Sequence, residues 1–292
     1  MENPVRLGPD LEALVRGLPA PLLRCEPVSR HGAARESRET FRLDLADGST
    51  WKGRRLPSAA SAARVEAFAA RLDPRRFTRV LAREGSALLE EWLSGEPLDQ
   101  LPADPAHLDW AAETLGGLHS LPAPRGRSGS WLRARRELLS RHLLRLADAG
   151  AIPRADAMRL REVALARAPR EVEVRLVHRD LCPENIVVDA GGRLRSVDNV
   201  TVRAGAPEED LARTCYRWPL DGPARDRFLR AYGARRDPAA FLRHRRFWMI
   251  AALSHATWIR HSRGYARADV PLRRLLAERN DVPCCASTTA DS

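Results

Sequence analysis

The sequence predicts an α+β protein with two lobes, a small antiparallel sheet carrying one helix and then a larger, mainly helical part. Strand-like alternation and short apolar runs fill residues 1–97, and long amphipathic patterns dominate 98–280. The 292 residues are 44% apolar and 30% charged, enough for a sizeable core and unlike a disordered chain. Residues 281–292 are polar and are expected to form a disordered tail.

Taken in order, residues 41–46 alternate apolar and polar side chains (Phe41, Leu43, Leu45), as a half-buried strand does. Asp47-Gly48 marks a tight turn into a return strand over 50–56, which carries Lys52. Alanines with apolar residues at helical spacing (Val65, Phe68, Ala69, Leu72) predict a helix over 58–72, whose only acid is Glu66. Two further strands are expected over 77–82 and 87–93, before Ser94-Gly95-Glu96-Pro97 breaks the pattern. Helices follow over 108–121, 130–147 and 154–168, then a short strand over 171–177. A loop broken by Pro183 covers 178–185. Two short strands, 186–189 and 194–198, flank the turn Ala190-Gly191-Gly192, and helices run from about residue 223 to 279. Phe247, Trp248 and Trp258 are assigned to the core.

The bulk numbers exclude several classes. The first sixteen residues hold no apolar run of signal-peptide length. The longest apolar stretch, 247–253, is far short of a membrane span, so a cytoplasmic protein without membrane association is expected. The five cysteines (Cys25, Cys182, Cys215, Cys284, Cys285) are odd in number and match no zinc spacing, and they read as reduced thiols. The formal charge of +11 invites a nucleic-acid reading. Yet all but one of the 49 cations are arginine, a skew that looks like coding composition, and no specific nucleic-acid partner is expected. The exception is Lys52. An ammonium is a compact point charge where guanidinium is a planar fork, so the two do not exchange freely in a tight site.

The chemistry concentrates in Val177-His178-Arg179-Asp180-Leu181-Cys182-Pro183-Glu184-Asn185-Ile186, followed by Ser196-Val197-Asp198. A strand delivers a loop bearing Asp180 and Asn185, and a hairpin then presents Asp198. Phosphoryl transfer needs such a set: a carboxylate to take the hydroxyl proton, an amide oxygen and a second carboxylate for a metal ion, and a fixed cation for phosphate oxygens.

Residues 178–185 match the kinase catalytic loop His-Arg-Asp-Leu-x-x-x-Asn position for position. The wider context resembles the aminoglycoside phosphotransferase and choline-kinase group. Asp210-Leu211-Ala212 comes 12 residues after Asp198, Leu88–Leu98 looks like that group's hinge, and Leu115-Gly116-Gly117-Leu118-His119 looks like its Leu-His helix end. The resemblance implies a two-lobed protein-kinase-like fold and an ATP- and Mg2+-dependent phosphotransferase acting on a hydroxyl group of a small molecule. It makes Asp180 the general base, Asn185 and Asp198 the magnesium ligands, Lys52 the phosphate-binding lysine and Glu66 its helix partner. Backbone groups of Glu91, Trp92 and Leu93 would contact adenine, and His178 and Asp210 would brace the loop.

Three departures stand out. Arg179 takes a place where the group often has glycine, Asn199-Val200 follows Asp198, and residues 29–35 form a phosphate loop with Gly32 as their single glycine. The last supports an alternative, a catalytically weak kinase-like nucleotide-binding regulatory protein. A protein kinase is disfavoured, because the 12 residues before Asp210 leave no room for an activation segment. The helices that form the acceptor wall in the group correspond here to 221–280, which hold fourteen arginines against five acids. A polycationic acceptor would meet like charge there, so a neutral or anionic sugar or metabolite is expected. The sequence carries no sign of an oligomeric state.

Overall fold

The computed structural model describes residues 7–28, 39–123, 128–218, 220, 222–264 and 269–277. The glycine-poor stretch 29–35 and the tail 281–292 lie outside the described residues. In chain order the elements are α1 (Pro9–Arg16), β1 (Leu22–Pro27), β2 (Glu39–Leu45), β3 (Thr50–Arg55), α2 (Ala59–Ala69), β4 (Val80–Glu84), β5 (Ala87–Glu91), β6 (Glu96–Pro97) and α3 (Pro105–Ser120). Then come α4 (Ser128–Asp148), α5 (Arg154–Ala166), β7 (Arg175–Val177), β8 (Ile186–Val188), β9 (Leu194–Ser196) and β10 (Arg203–Gly205). Last are α6 (Pro207–Arg217), α7 (Gly222–Gly233), α8 (Ala239–Arg243), α9 (Arg245–Ser262) and α10 (Asp269–Ala277). The chain divides into two compact units, one of Met1–Thr114 with His178–Arg203, the other of Leu115–Val177 with Ala204–Ser292.

In the first unit five strands form an antiparallel sheet in the order β1-β2-β3-β5-β4. Phe41, Leu43 and Leu45 are buried as their alternation requires, and Gly48 makes the β2–β3 turn with φ 83°. The two sheet faces have different covers. Leu11 of α1 packs with Leu43 and Leu89 on one face, while Ala62 and Val65 of α2 pack with Leu56 and Leu88 on the other. Gly53 of β3 makes room for the first of these, since a β-carbon there would sit 3.1 Å from both Leu11 and Leu43 and press them aside by a few tenths of an ångström. The Ser58 side chain caps α2 by accepting the Ser61 N–H at 3.2 Å. In a second sheet, β6-β8-β9, strand β8 begins directly after Asn185 and β9 ends two residues before Asp198.

The structure adds α1 and β1, which the sequence pattern does not reveal. It also shortens the strand expected from residue 77. Phe77 instead bridges Ser196 in parallel register, with the Ser196 N–H donating to Arg76 O at 2.7 Å, and β4 begins only at Val80.

The second unit is helical. α9 is its hub, touching α4, α5, α6 and α10, and Phe247, Trp248, Ile250 and Leu253 along it are buried. Phe247 and Trp248 meet edge to face at 4.9 Å, so both are core residues. Trp258 is only half-buried, with the Arg145 guanidinium 5.4 Å from its ring centre. Between α3, α6 and α7, buried His119 bonds Tyr232 Oη at 2.9 Å and Asp210 Oδ2 at 3.1 Å. No helix among the described residues is long and apolar enough to cross a membrane.

Candidate active site

The site in the first unit is built around His178. Its ring is fully buried and stacks on Phe77 at 6.0 Å. The Asp180 N–H donates to Nδ1 at 3.2 Å, so Nδ1 carries no proton, and Nε2–H donates toward Asn199 Oδ1 at 3.0 Å and Ser196 Oγ at 3.1 Å. Asn199, also buried, passes the network to Thr78 Oγ1 at 2.9 Å. His178 thus holds the backbone at Asp180 in place and ties the loop to the segment before β4.

Between His178 and Asp180 the chain turns through Arg179 at φ 70°, in the left-handed region. Asp198 does the same at φ 60°. Among the described residues these are the only non-glycine positions with positive φ. One adjoins Asp180 in the chain, and the other is itself an expected metal ligand. A left-handed turn at 179 also explains why glycine suits this position.

Asn185 closes a short 3₁₀ turn, Pro183–Asn185. Its Nδ2 donates to Asp180 O at 3.0 Å and to Asp180 Oδ2 at 3.2 Å, and its backbone carbonyl accepts the Val197 N–H at 2.8 Å. One residue therefore fixes the Asp180 carboxylate and sits beside the strand end that carries Asp198.

The cations are arranged differently from the sequence expectation. Lys52 and Glu90 are direct cross-strand partners in the β3–β5 ladder, with Nζ 3.2 Å from Oε2. Arg54, two residues on and so on the same face, places Nε 3.3 Å from the same Oε2 and Nη2 2.7 Å from Asp198 Oδ1. The result is a chain of alternating charge, Lys52–Glu90–Arg54–Asp198, buried at Glu90 and Arg54 and open to solvent at the Asp198 end. Arg54, then Lys52, holds the Asp198 carboxyl well below the usual range against the opposing effect of burial. Burial is the largest influence on Lys52, and with the neighbouring Arg54 it depresses the ammonium. Burial alone would raise Glu90, but Lys52 and Arg54 outweigh it and keep the carboxyl low.

Glu66 does not join this chain. Its Oε2 accepts from Arg83 Nε of β4 at 2.6 Å, and the expected pairing with Lys52 is replaced by Glu90. The physical reason is reach and register. Glu90 is already opposite Lys52 in the sheet, whereas Glu66 meets a partly exposed arginine first. Glu91 forms a two-pronged pair with Arg195, at 2.6 and 2.7 Å, and its backbone N–H donates to Arg79 O. Trp92 lies 5.3 Å beneath the Arg42 guanidinium, and Leu93 is half-buried. Sequence reasoning misses Glu90 and Arg54. Strand parity would find Arg54, which shares a face with Lys52, whereas choosing Glu90 over the adjacent Glu91 takes the β3–β5 register.

The sequence matches the profile described as the phosphotransferase enzyme family over residues 29–244. The chain belongs to this family. No curated protein matches the sequence of this phosphotransferase. Its structure is similar to those of solved proteins at low identity. A macrolide 2'-phosphotransferase from Brachybacterium faecium aligns with TM-score 0.61 and 18% identity, covering 93% of this chain and 98% of that one. A choline kinase from Streptococcus pneumoniae gives 0.61 and 15% identity over 92% and 95%. A Plasmodium vivax ethanolamine kinase gives 0.60 and 12% identity over 87% and 81%. The fold of the phosphotransferase is protein-kinase-like, with an antiparallel sheet in its N-terminal part and helices in its C-terminal part.

The donors near Asp198 fit a hard divalent cation. Asn185 turns its amide nitrogen to Asp180, which leaves Oδ1 on the other side of the amide, and Asp198 adds a carboxylate. Among the described residues no cluster of three or more His, Cys, Asp or Glu forms an all-protein metal cage, and magnesium seldom uses one.

Proposed function

We propose that this phosphotransferase uses ATP and Mg2+ to phosphorylate a hydroxyl group of a small, neutral or anionic molecule in the cytoplasm. Residues 1–97 act as the nucleotide-binding lobe and 98–280 as the catalytic and acceptor lobe. The observation that carries this reading is the grip on Asp180. A left-handed turn, the His178 ring and the Asn185 amide fix its backbone and its carboxylate together.

In this reading Asp180 accepts the proton of the acceptor hydroxyl as the oxygen attacks the γ-phosphate. Asn185 orients that carboxylate. Asn185 Oδ1 and the Asp198 carboxylate would hold magnesium, which neutralises phosphate charge when bound. Lys52, with Glu90 rather than Glu66 beside it, and Arg54 supply fixed positive charge. Adenine would lie against the backbone of Glu91, Trp92 and Leu93. The fourteen arginines and five acids of 221–280 support a neutral or anionic acceptor.

The test is product mass spectrometry and steady-state kinetics with ATP on neutral sugars, acidic sugars and kanamycin-like compounds. Turnover should favour the first two. A kcat/KM of about 10⁴ M⁻¹s⁻¹ or more on a polycationic aminoglycoside would overturn the acceptor assignment. The glycine-poor stretch 29–35 favours a second reading, a catalytically weak nucleotide-binding regulator. Tight ATP binding without turnover across the panel would identify it.

A further inference from the structure

Asp198 is the carboxylate that the proposed function gives to the metal, and the role assigned here to Arg54 rests on that reading. Asp198 Oδ1 is closed to solvent and lies 2.7 Å from Arg54 Nη2. The side chain is nevertheless 41% exposed, so its open oxygen is Oδ2. Arg54 is itself buried, and its Nε is engaged by Glu90 Oε2, which also holds Lys52. The guanidinium is therefore pinned from two sides, and a fixed positive charge stands one carboxylate's width from any cation arriving at Oδ2.

We propose that Arg54 is a positioning residue that bars a bare divalent cation from Asp198 and admits it only together with nucleotide phosphates. Two consequences of the geometry lead there. Because Arg54 takes Oδ1, Asp198 offers a metal one oxygen and cannot chelate through both. A divalent ion beside a guanidinium is also repelled, by more than about tenfold in affinity even at the effective dielectric of a protein. Phosphate oxygens reverse the balance, since the same guanidinium attracts them and they carry the charge that the metal brings. The role falls to Arg54 rather than Lys52, because Arg54 reaches Asp198 Oδ1 itself while the Lys52 ammonium pairs with Glu90. Order of entry is thus written into an arginine two residues from the lone lysine.

The experiment measures Mn2+ binding to the full chain by electron paramagnetic resonance of the free ion, with and without a non-hydrolysable ATP analogue. Without nucleotide, Arg54→Gln should bind Mn2+ at least about tenfold more tightly than wild type, and the analogue should shrink the gap to about threefold or less. Arg54→Lys keeps the charge and should stay with wild type. Equal or weaker Mn2+ binding by Arg54→Gln without nucleotide overturns the inference. Asp198→Asn separates it from the reading beneath it. If that variant binds Mn2+ with the analogue as wild type does, the metal assignment falls. If it loses binding while Arg54→Gln matches wild type, only the role of Arg54 falls. Should thermal melting show Arg54→Gln unfolded, Arg54→Met, which keeps an unbranched apolar stem in the same space, leaves Glu90 paired with Lys52 and removes only the guanidinium charge, carries the same comparison.

Discussion

Glu90 stands directly opposite Lys52 in the β3–β5 ladder, and a single oxygen, Oε2, serves both Lys52 and Arg54. Removing that carboxylate leaves two buried cations side by side. Glu90→Gln should cost about 3 kcal/mol in folding stability, measured by urea denaturation, and raise the KM for ATP. A variant as stable as wild type would show that the pair contributes little.

Glu66→Ala is the contrasting case. Its pair with Arg83 is partly exposed, and such pairs contribute at most about 1 kcal/mol. The KM for ATP should stay within about twofold of wild type, a difference of about 0.4 kcal/mol. A large rise in KM would mean that Glu66 leaves Arg83 for the nucleotide site during turnover.

Asp180→Asn keeps the shape of the side chain that Asn185 holds and removes its capacity to accept a proton. The expected loss in kcat is about two to four powers of ten, with the dissociation constant for ATP nearly unchanged. Near-normal turnover would remove Asp180 as the base.

The turn at Arg179 can be tested through its backbone alone. Both Arg179→Gly and Arg179→Val delete the arginine side chain, but only valine must force a β-branched residue to φ 70°. The glycine variant should be the more stable by more than about 1 kcal/mol, read from denaturation midpoints. Equal stabilities would show that the turn relaxes.

His142 gives a pH dependence. It is buried on α4, and burial first, then Arg145, Arg135 and Arg141, push its pKa from 6.5 down to about 4. The unfolded chain therefore takes up a proton that the folded chain refuses between those values, so stability is full above pH 6.5 and falls as pH drops toward 4. The loss should be about 3 kcal/mol by pH 4, and His142→Gln should flatten it. Carboxylates held low, such as Asp198 and Glu90, lose their contribution only at lower pH, so the two windows separate.

Much of this architecture is legible in the sequence because it is local. Phe41, Leu43 and Leu45 announce β2 by alternation, Asp47-Gly48 announces its turn, and the spacing from His178 to Asn185 announces the loop. The features that escape are short or non-local. The α1 segment spans two turns with Leu11 as its one buried residue, and β1 shows no alternation and ends at Pro27. The partners of Lys52 escape for another reason. Glu90 and Glu91 are adjacent acids, and only the pairing register between strands 38 residues apart decides that the first faces Lys52 while the second faces Arg195. Glu66 stands out as the only acid of its helix, a property that carries no information about where Arg83 lies.

Position 53 has no side chain, and Leu11 settles into the space this leaves. The two cations on either side of it, Lys52 and Arg54, thus owe part of their rigidity to a helix on the far face of the sheet. That helix is tethered in turn by Asp10, which takes the N–H and hydroxyl of Ser86 at 2.7 and 2.8 Å. Trimming the protein ahead of Leu22 would therefore do more than shorten an end. It would uncover Leu43 and Leu89 and let the middle strand breathe, so the damage should surface first as weakened ATP affinity, far from the cut.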